Sequence, residues 1–236
     1  MEQNKTGKYL KYAIGEILLV VIGILIALQL NNWNEERKTN SKETMLLKEM
    51  VNSIDNDLSN FKNFYWQRLK VKKNGLDSLN HYCGNRLTIQ DSTLNSFINK
   101  SQTDILVTYN EAAFDVLKST GLEVIQNDTL RALIIRNYQT LLPLFKELLA
   151  NVPKALNPTI TQLKLNLFQK SIYQNKNKQW SFSVQPKVEN ILNHQDFIEL
   201  LSLENRKYVN FDSRLNFMES VLTELKESIL EELKKQ

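Results

Sequence analysis

Few residues in this chain have the types and the spacing that catalysis requires. The two histidines, His81 and His194, lie far apart and lack the short spacing that is typical of zinc ligands. The six glycines are scattered singly, so there is no glycine-rich loop to cradle a phosphate. We expect neighbouring carboxylates such as Asp55 and Asp57 to form a solvated helix face rather than an acid–base pair. We therefore predict that the protein is not an enzyme and binds no cofactor and no metal ion.

The residues best placed to form a binding site lie between Tyr109 and Arg131. Helical spacing would bring one set onto adjacent turns of a short helix, and a second set follows a tight turn: Tyr109, Asn110, Phe114 and Lys118, then Asn127, Asp128 and Arg131. One interpretation is a polar pocket or a partner surface. The alternative is structural, because Asn127 is a good N-cap, Phe114 suits a core and Gly121 allows a turn. We favour the structural interpretation, since each residue type has a sufficient role in folding.

The most apolar part of the chain is residues 13–30, AIGEILLVVIGILIALQL, with Glu16 as its one charge. In a helix, Tyr12 and Trp33 would lie about 31 Å apart, close to the thickness of the hydrocarbon core of a bilayer. Both aromatics would then lie at the membrane interfaces. A cleavable signal peptide is the alternative, but the end of the apolar segment lacks the small residues that cleavage requires. We predict a transmembrane helix over residues 13–33.

The orientation follows from the charges beside this helix. Lys5, Lys8 and Lys11 directly precede it, whereas neutral asparagines open its other end. Basic residues occur on both sides, so their number alone does not decide the orientation. We expect the tail, residues 1–12, in the cytoplasm and the chain in the inner membrane. Residues 34–44 would be a juxtamembrane segment, and residues 45–236 an extracytoplasmic helical domain.

One face of the predicted transmembrane helix is formed by residues that recur every four positions, Gly15, Leu19, Gly23 and Ala27. Small residues allow two helices in a membrane to approach closely, although they are also common in membrane helices that contact only lipid. Glu16 has two interpretations as well. A carboxylate at the hydrocarbon edge is costly unless it is wet, neutral or paired, so Glu16 either reaches the interface or contacts a neighbouring chain.

The rest of the chain has the pattern of an antiparallel α-helical bundle. With six glycines and four prolines, it has too few turn-forming residues for a β-rich domain. Two segments show heptad spacing: Leu47, Val51, Ile54, Leu58, Phe61 and Tyr65; and Leu201, Tyr208, Phe211, Leu215, Met218, Leu222, Leu225 and Ile229. Glu204 is the polar exception in the second segment. Heptad segments can pack against each other within one chain or between chains, and the sequence leaves both arrangements open.

Shorter elements lie between these segments. A third helical run begins after Asn127, and Pro143, Pro153 and Pro158 are expected to kink or divide it. We predict short helices from Asp91 to Lys100 and from Tyr109 to Ser119. Residues 171–185 are expected to be a polar loop, followed by a brief helix that starts at Pro186.

Residues 11–35, KYAIGEILLVVIGILIALQLNNWNE, resemble the N-terminal signature of a large uncharacterised family of single-pass membrane proteins from Gram-negative Bacteroidota. The resemblance continues at residues 109–121, YNEAAFDVLKSTG, and at residues 127–131, NDTLR. It implies an inner-membrane protein with a helical domain and implies no activity. Members often have Ser-Gly-Gly-Leu where this chain has Ser-Thr-Gly-Leu at residues 119–122, so the turn there is expected to differ.

The leading functional hypothesis is a membrane-anchored interaction or scaffold protein of the cell envelope. Its partners would be the lipid bilayer and either other envelope proteins or copies of itself. The net charge of +4 is too balanced to favour nucleic acid. Two alternatives are an extracytoplasmic helical sensor of a ligand and an accessory subunit of a membrane transporter or motor, the latter resting on Glu16.

Overall fold

The computed structural model describes residues 5–235, with side chains from residue 14 onward except that of Ser183. The predicted cytoplasmic tail therefore lies partly outside the described residues. The fold is all-α with one small two-stranded sheet. Its elements are α1 (Lys5–Asn60), α2 (Trp66–Gly84), α3 (Asp91–Ser101), α4 (Ala112–Thr120), α5 (Asp128–Arg136), α6 (Leu142–Leu167), β1 (Phe168–Gln174), β2 (Trp180–Pro186) and α7 (Gln195–Leu233). Short 3₁₀ turns cover Leu122–Val124 and Ile191–Asn193.

Helix α1 has two parts with different surroundings. Every side chain from residue 14 to residue 42 is exposed, and Glu43 is the first that is buried. Among the described residues, α1 provides the one helix that is long and apolar enough to cross a membrane, and none of its apolar segment is buried. This segment is therefore not a core helix of the chain, and the domain core begins at Glu43.

Two π-helical turns join successive helices without a break. Phe61–Tyr65 connects α1 to α2, and Asn137–Leu141 connects α5 to α6 just before Pro143. The prolines do not divide the third helical run, because α6 continues through Pro153 and Pro158. Tertiary packing compensates for the hydrogen bonds lost at these prolines, since one face of α6 is buried in the core.

The two heptad-patterned segments pack against each other within one chain. Asp55 of α1 pairs with Lys226 of α7 at 2.6 Å, and the Trp66 indole Nε1 donates to Glu219 at 2.7 Å. Because residue numbers rise along α1–α2 as they fall along α7, the helices are antiparallel. All of the buried heptad residues except Leu201 form one core together with α4, α5 and the first half of α6. In the structure, the two heptad segments therefore pack against each other within one chain.

A second core lies at the end of the bundle away from the apolar segment. It joins the end of α2, α3, the end of α6 and the start of α7 through Leu76, Leu79, Leu94, Ile98, Ile160, Leu167, Phe168, Ile191, Leu192, Phe197, Leu200 and Leu201. The β-hairpin projects from this core. We call this end of the molecule the distal end.

The prediction of a polar loop over residues 171–185 was wrong, because this segment lies in the antiparallel β1–β2 hairpin. Its turn is held by Asn175, whose Oδ1 accepts the backbone N–H groups of Asn177 and Gln179. Pro186 ends β2 and does not begin a helix. The many Lys, Asn and Gln residues concealed the alternation of apolar and polar side chains that favours a strand.

The shorter helices lie close to their predicted positions. Helix α3 covers the segment predicted to begin at Asp91. Helix α4 begins at Ala112 rather than Tyr109, because Asn110 Oδ1 accepts the Ala112 N–H at 2.9 Å and ends the preceding extended segment. Gly121 ends α4 with a φ of 107°, a conformation that glycine adopts without strain.

Candidate functional site

The predicted site residues on α4 and before it are held mainly by core contacts. The Phe114 ring stacks on Tyr138 with ring centroids 4.9 Å apart. Tyr109 is buried beside the same ring, with centroids 6.5 Å apart. The Asn110 backbone N–H donates to Asp57 Oδ2 at 2.9 Å. Lys118 lies on the exposed surface. Three of these four residues thus have a folding contact.

The second predicted set organises the start of α5. Asn127 Oδ1 accepts the backbone N–H groups of Thr129 and Leu130, so Asn127 is the predicted N-cap. Its Nδ2 also donates to Glu232 Oε2 at 2.7 Å, which ties α5 to the end of α7. Arg131 Nη1 donates to the Ile125 carbonyl at 2.8 Å, and Nη2 pairs with Asp128. Of the two predicted sets, Tyr109 and Phe114 belong to the first core, whereas Asn127, Asp128 and Arg131 lie at its surface.

Asp57 differs from the expectation of a solvated helix face, because it is only 2% exposed. Its carboxylate accepts a hydrogen bond from the Asn110 backbone N–H. Burial raises the pKa of Asp57 above its usual range, and it also raises that of the Tyr138 hydroxyl. Tyr138 Oη has no hydrogen-bond partner in the described part of the chain. Asp55, by contrast, lies at the surface and pairs with Lys226.

Sequence reasoning missed a buried ionic cluster between the two cores. Glu204 Oε2 contacts Lys72 Nζ at 2.6 Å and Lys207 Nζ at 3.6 Å. Lys72 also donates to the Ser101 carbonyl, and Lys207 pairs with Asp104. Glu204, the polar exception in the second heptad segment, was the available signal. Its partners could not be identified, because Lys72 lies far away in the sequence.

The ionic cluster is better suited to a structural role than to catalysis or ligand binding. Lys72 is fully buried, and burial lowers the pKa of its ammonium group. Glu204 Oε1 has no hydrogen-bond partner among the described residues, so the carboxylate is incompletely satisfied. No metal-binding group of His, Cys, Asp and Glu side chains occurs in the part of the chain that was described. The cluster fixes α2 against α7.

A groove with mixed polar and apolar walls lies at the distal end and has a volume of about 920 Å³. We call it the distal groove. Its walls are α3, the end of α6 and the hairpin. Apolar side chains on these walls include Leu165, Phe168, Phe182 and Val184, and amides are contributed by Asn95, Asn99 and Gln102. Lys164, Lys170 and Lys187 also line it. A groove of this size falls within the range of ligand sites.

One face of the hairpin continues the distal groove into solvent. The strand register pairs Ile172 with Phe182 and Gln174 with Trp180, so these side chains share one face. Ile172 is 64% exposed, and Phe182 and Trp180 are each 70% exposed. The other face carries Gln169, Ser171, Ser181 and Gln185, which are polar, together with the half-exposed Tyr173. The hairpin is therefore amphipathic, with its apolar face uncovered.

The predicted contact face in the apolar part of α1 is also free within this chain. Gly15, Leu19, Gly23 and Ala27 are exposed, as is Glu16. A Cβ atom added to Gly15 or Gly23 would meet no atom within 4 Å. The face is therefore open to a close approach by another helix.

The chain belongs to the Family of unknown function (DUF6090), which matches residues 16–203. The match begins in the apolar part of α1 and ends in α7, so it includes the hairpin and the distal groove. No curated protein and no solved structure matches the chain. The family agrees with the expected membership of an uncharacterised family, and it assigns no activity.

Proposed function

We propose that this member of the DUF6090 family is a membrane-anchored, non-enzymatic interaction protein of the bacterial cell envelope. One observation carries the proposal. The chain combines a fully exposed apolar helix with a domain that fills its own core yet leaves the hairpin face uncovered. Large exposed apolar surfaces mark contacts with membranes or with partners. Here the two surfaces lie at opposite ends of the molecule.

The first surface suits a bilayer. The apolar side chains of residues 14–30 are each roughly half exposed or more, on every side of α1. A bilayer would cover all of them at once, whereas one protein partner would cover one side. Trp33 follows at the position of an interfacial aromatic. The lysines that precede the segment support a cytoplasmic N-terminus and an extracytoplasmic domain.

The second surface is held far from the first. From Trp33 to Leu79, beside the base of the hairpin, the helical rise is about 70 Å. The hairpin therefore cannot contact the bilayer that would surround α1 while the helix stands upright. The distal groove is continuous with the exposed hairpin face, which supports an interaction protein over a ligand sensor, since a sensor would enclose its ligand in a deep pocket with converging polar groups.

The experiment is site-specific photo-crosslinking in living cells with the full chain. A photoreactive phenylalanine analogue would replace Phe182 on the hairpin or Gly23 on the open face of α1. The matched control replaces Lys62, an exposed residue on the first π-helical turn. We expect adducts of discrete mass from Phe182, from Gly23 or from both, and none from Lys62.

Absence of adducts from both Phe182 and Gly23 would refute the proposal, provided that the variants accumulate normally. An adduct of twice the chain mass would identify a second copy as the partner. An adduct of another mass would identify a different envelope protein.

A further inference from the structure

The hairpin and the segment before it carry an unusual charge distribution. No aspartate or glutamate occurs between Glu147 and Glu189, although the whole chain is nearly balanced at a net charge of +4. The same stretch contains Lys154, Lys164, Lys170, Lys176, Lys178 and Lys187. The distal end is therefore locally cationic, and a partner of negative charge would be attracted to it.

Three of these lysines are directed to one place. Lys164, Lys170 and Lys187 line the distal groove, where Asp91 is the one acidic residue among the lining side chains. Lys187 Nζ donates to the Leu165 carbonyl at 2.8 Å. None of the three has an ion pair within 4.0 Å in the described part of the chain. Their charges remain available to a bound anion.

The apolar wall beside these lysines determines the second property of the occupant. Phe182 and Val184 line the groove, and Ile172 and Trp180 extend the same hairpin face past its edge. An occupant would cover the apolar face and bring negative groups to the lysines. It must therefore be both acidic and amphipathic.

The groove favours a polypeptide over a lipid surface. On the α3 wall, Asn95 Nδ2 already donates to the Val184 carbonyl. Asn99 and Gln102 on the same wall carry amides that can each donate to and accept from a peptide backbone. A flat bilayer would leave these amides unpaired at the base of the groove. The distance of about 70 Å from Trp33 also separates the groove from a bilayer around α1.

We propose that the distal groove and the apolar hairpin face bind an acidic amphipathic segment of a partner protein. This inference rests on the proposed function and names the chemistry of the partner. The apolar side chains of the segment would pack on Ile172, Phe182 and Trp180, and its carboxylates would pair with the groove lysines.

The test uses the full chain in nanodiscs of neutral lipid and fluorescein-labelled probe peptides. One probe alternates Glu with Leu and Phe, and its matched control carries Lys in place of every Glu. Fluorescence anisotropy would measure binding. We expect the acidic probe to bind more tightly than the Lys probe, with an affinity that falls as salt is raised.

Variants locate the binding surface. We expect K164A/K170A/K187A to bind the acidic probe about tenfold more weakly or worse, and F182S to do the same through lost apolar contact. The matched controls are K48A/K62A/K70A, which removes exposed lysines of α1, the first π-helical turn and α2, and V209S, which removes an exposed apolar side chain of α7. These should bind as the unaltered chain does. Circular dichroism verifies that each variant is folded.

Equal binding of the acidic and Lys probes, or an unchanged affinity of K164A/K170A/K187A, would overturn the inference. Tighter binding to vesicles of phosphatidylglycerol than to the acidic probe would overturn it as well, and would assign the surface to lipid. Photo-crosslinking at Phe182 separates the two proposals. An adduct there, with no binding of the acidic probe, would refute the acidic partner while leaving the proposed function intact.

Discussion

Removing Glu204 should destabilise the domain more than removing Glu204 and Lys72 together. In Glu204→Leu, Lys72 and Lys207 keep their positive charges in a buried environment, and Lys72 loses its only carboxylate partner within 4.0 Å in the described residues. Breaking a buried pair in this way typically costs about 3–5 kcal/mol. In Lys72→Met/Glu204→Leu, both members are apolar, and the free energy of unfolding should be close to that of the unaltered chain or higher.

The assay is urea unfolding followed by circular dichroism on residues 36–236, which retain every buried side chain of the described structure. For a domain of this size, 3–5 kcal/mol corresponds to a fall in melting temperature of about 6–20 °C.

The dependence of stability on pH provides a second readout. Because burial lowers the pKa of Lys72 in the folded state, the unfolded chain binds more protons at alkaline pH. Stability should therefore rise with pH between the lowered folded-state pKa of Lys72 and its ordinary value of 10.5, and this range should be widest in Glu204→Leu, which lacks the carboxylate that raises the pKa.

Two results would refute this reasoning. One is a Glu204→Leu variant that unfolds at the same urea concentration as the unaltered chain. The other is a double variant that is no more stable than Glu204→Leu, since the cost would then come from lost packing and not from an unpaired charge.

Three further outcomes are expected from the same unfolding assay. Asn127→Ala should lose about 1 kcal/mol or more, since it removes the N-cap of α5 and the hydrogen bond to Glu232, and Asn127→Ser, which keeps an acceptor, should lose less. Burial raises the folded-state pKa of Asp57, so its contribution to stability is full below pH 3.8 and is lost as pH rises through the folded-state pKa. Asp57→Asn should remove this loss of stability. A variant with the same dependence of stability on pH as the unaltered chain would argue against this role of Asp57. Phe114→Ala should cost about 3–5 kcal/mol through a core cavity, whereas Lys118→Ala, on the exposed face of α4, should be close to neutral.

The local sequence pattern predicted the long helices well, because apolar residues at heptad spacing all lie on one face of a helix, and that face must be buried. Leu47, Ile54 and Phe61 are buried, as are Phe211 and Leu215 opposite them. The cap at Asn127 was predictable for the same reason, since its signal lies within a few residues.

Features that depend on contacts between distant segments were not predictable. The pairing of Glu204 with Lys72 requires α2 and α7 to be antiparallel in one particular register. Asp57 is buried because the extended segment at Asn110 crosses α1 at that position. The hairpin was missed for a different reason, since five lysines and several amides between residues 164 and 187 outweighed its apolar alternation. The distal groove followed from the hairpin and was missed with it.

We propose that the first helix anchors the chain in a membrane and is retained in the mature protein. Alkaline carbonate extraction of membranes from cells that express the full chain, with a different tag at each end, tests this claim most directly. We predict that both tags remain in the membrane pellet on one chain of full mass. Release of the chain into the supernatant, or loss of the N-terminal tag from it, would contradict the account.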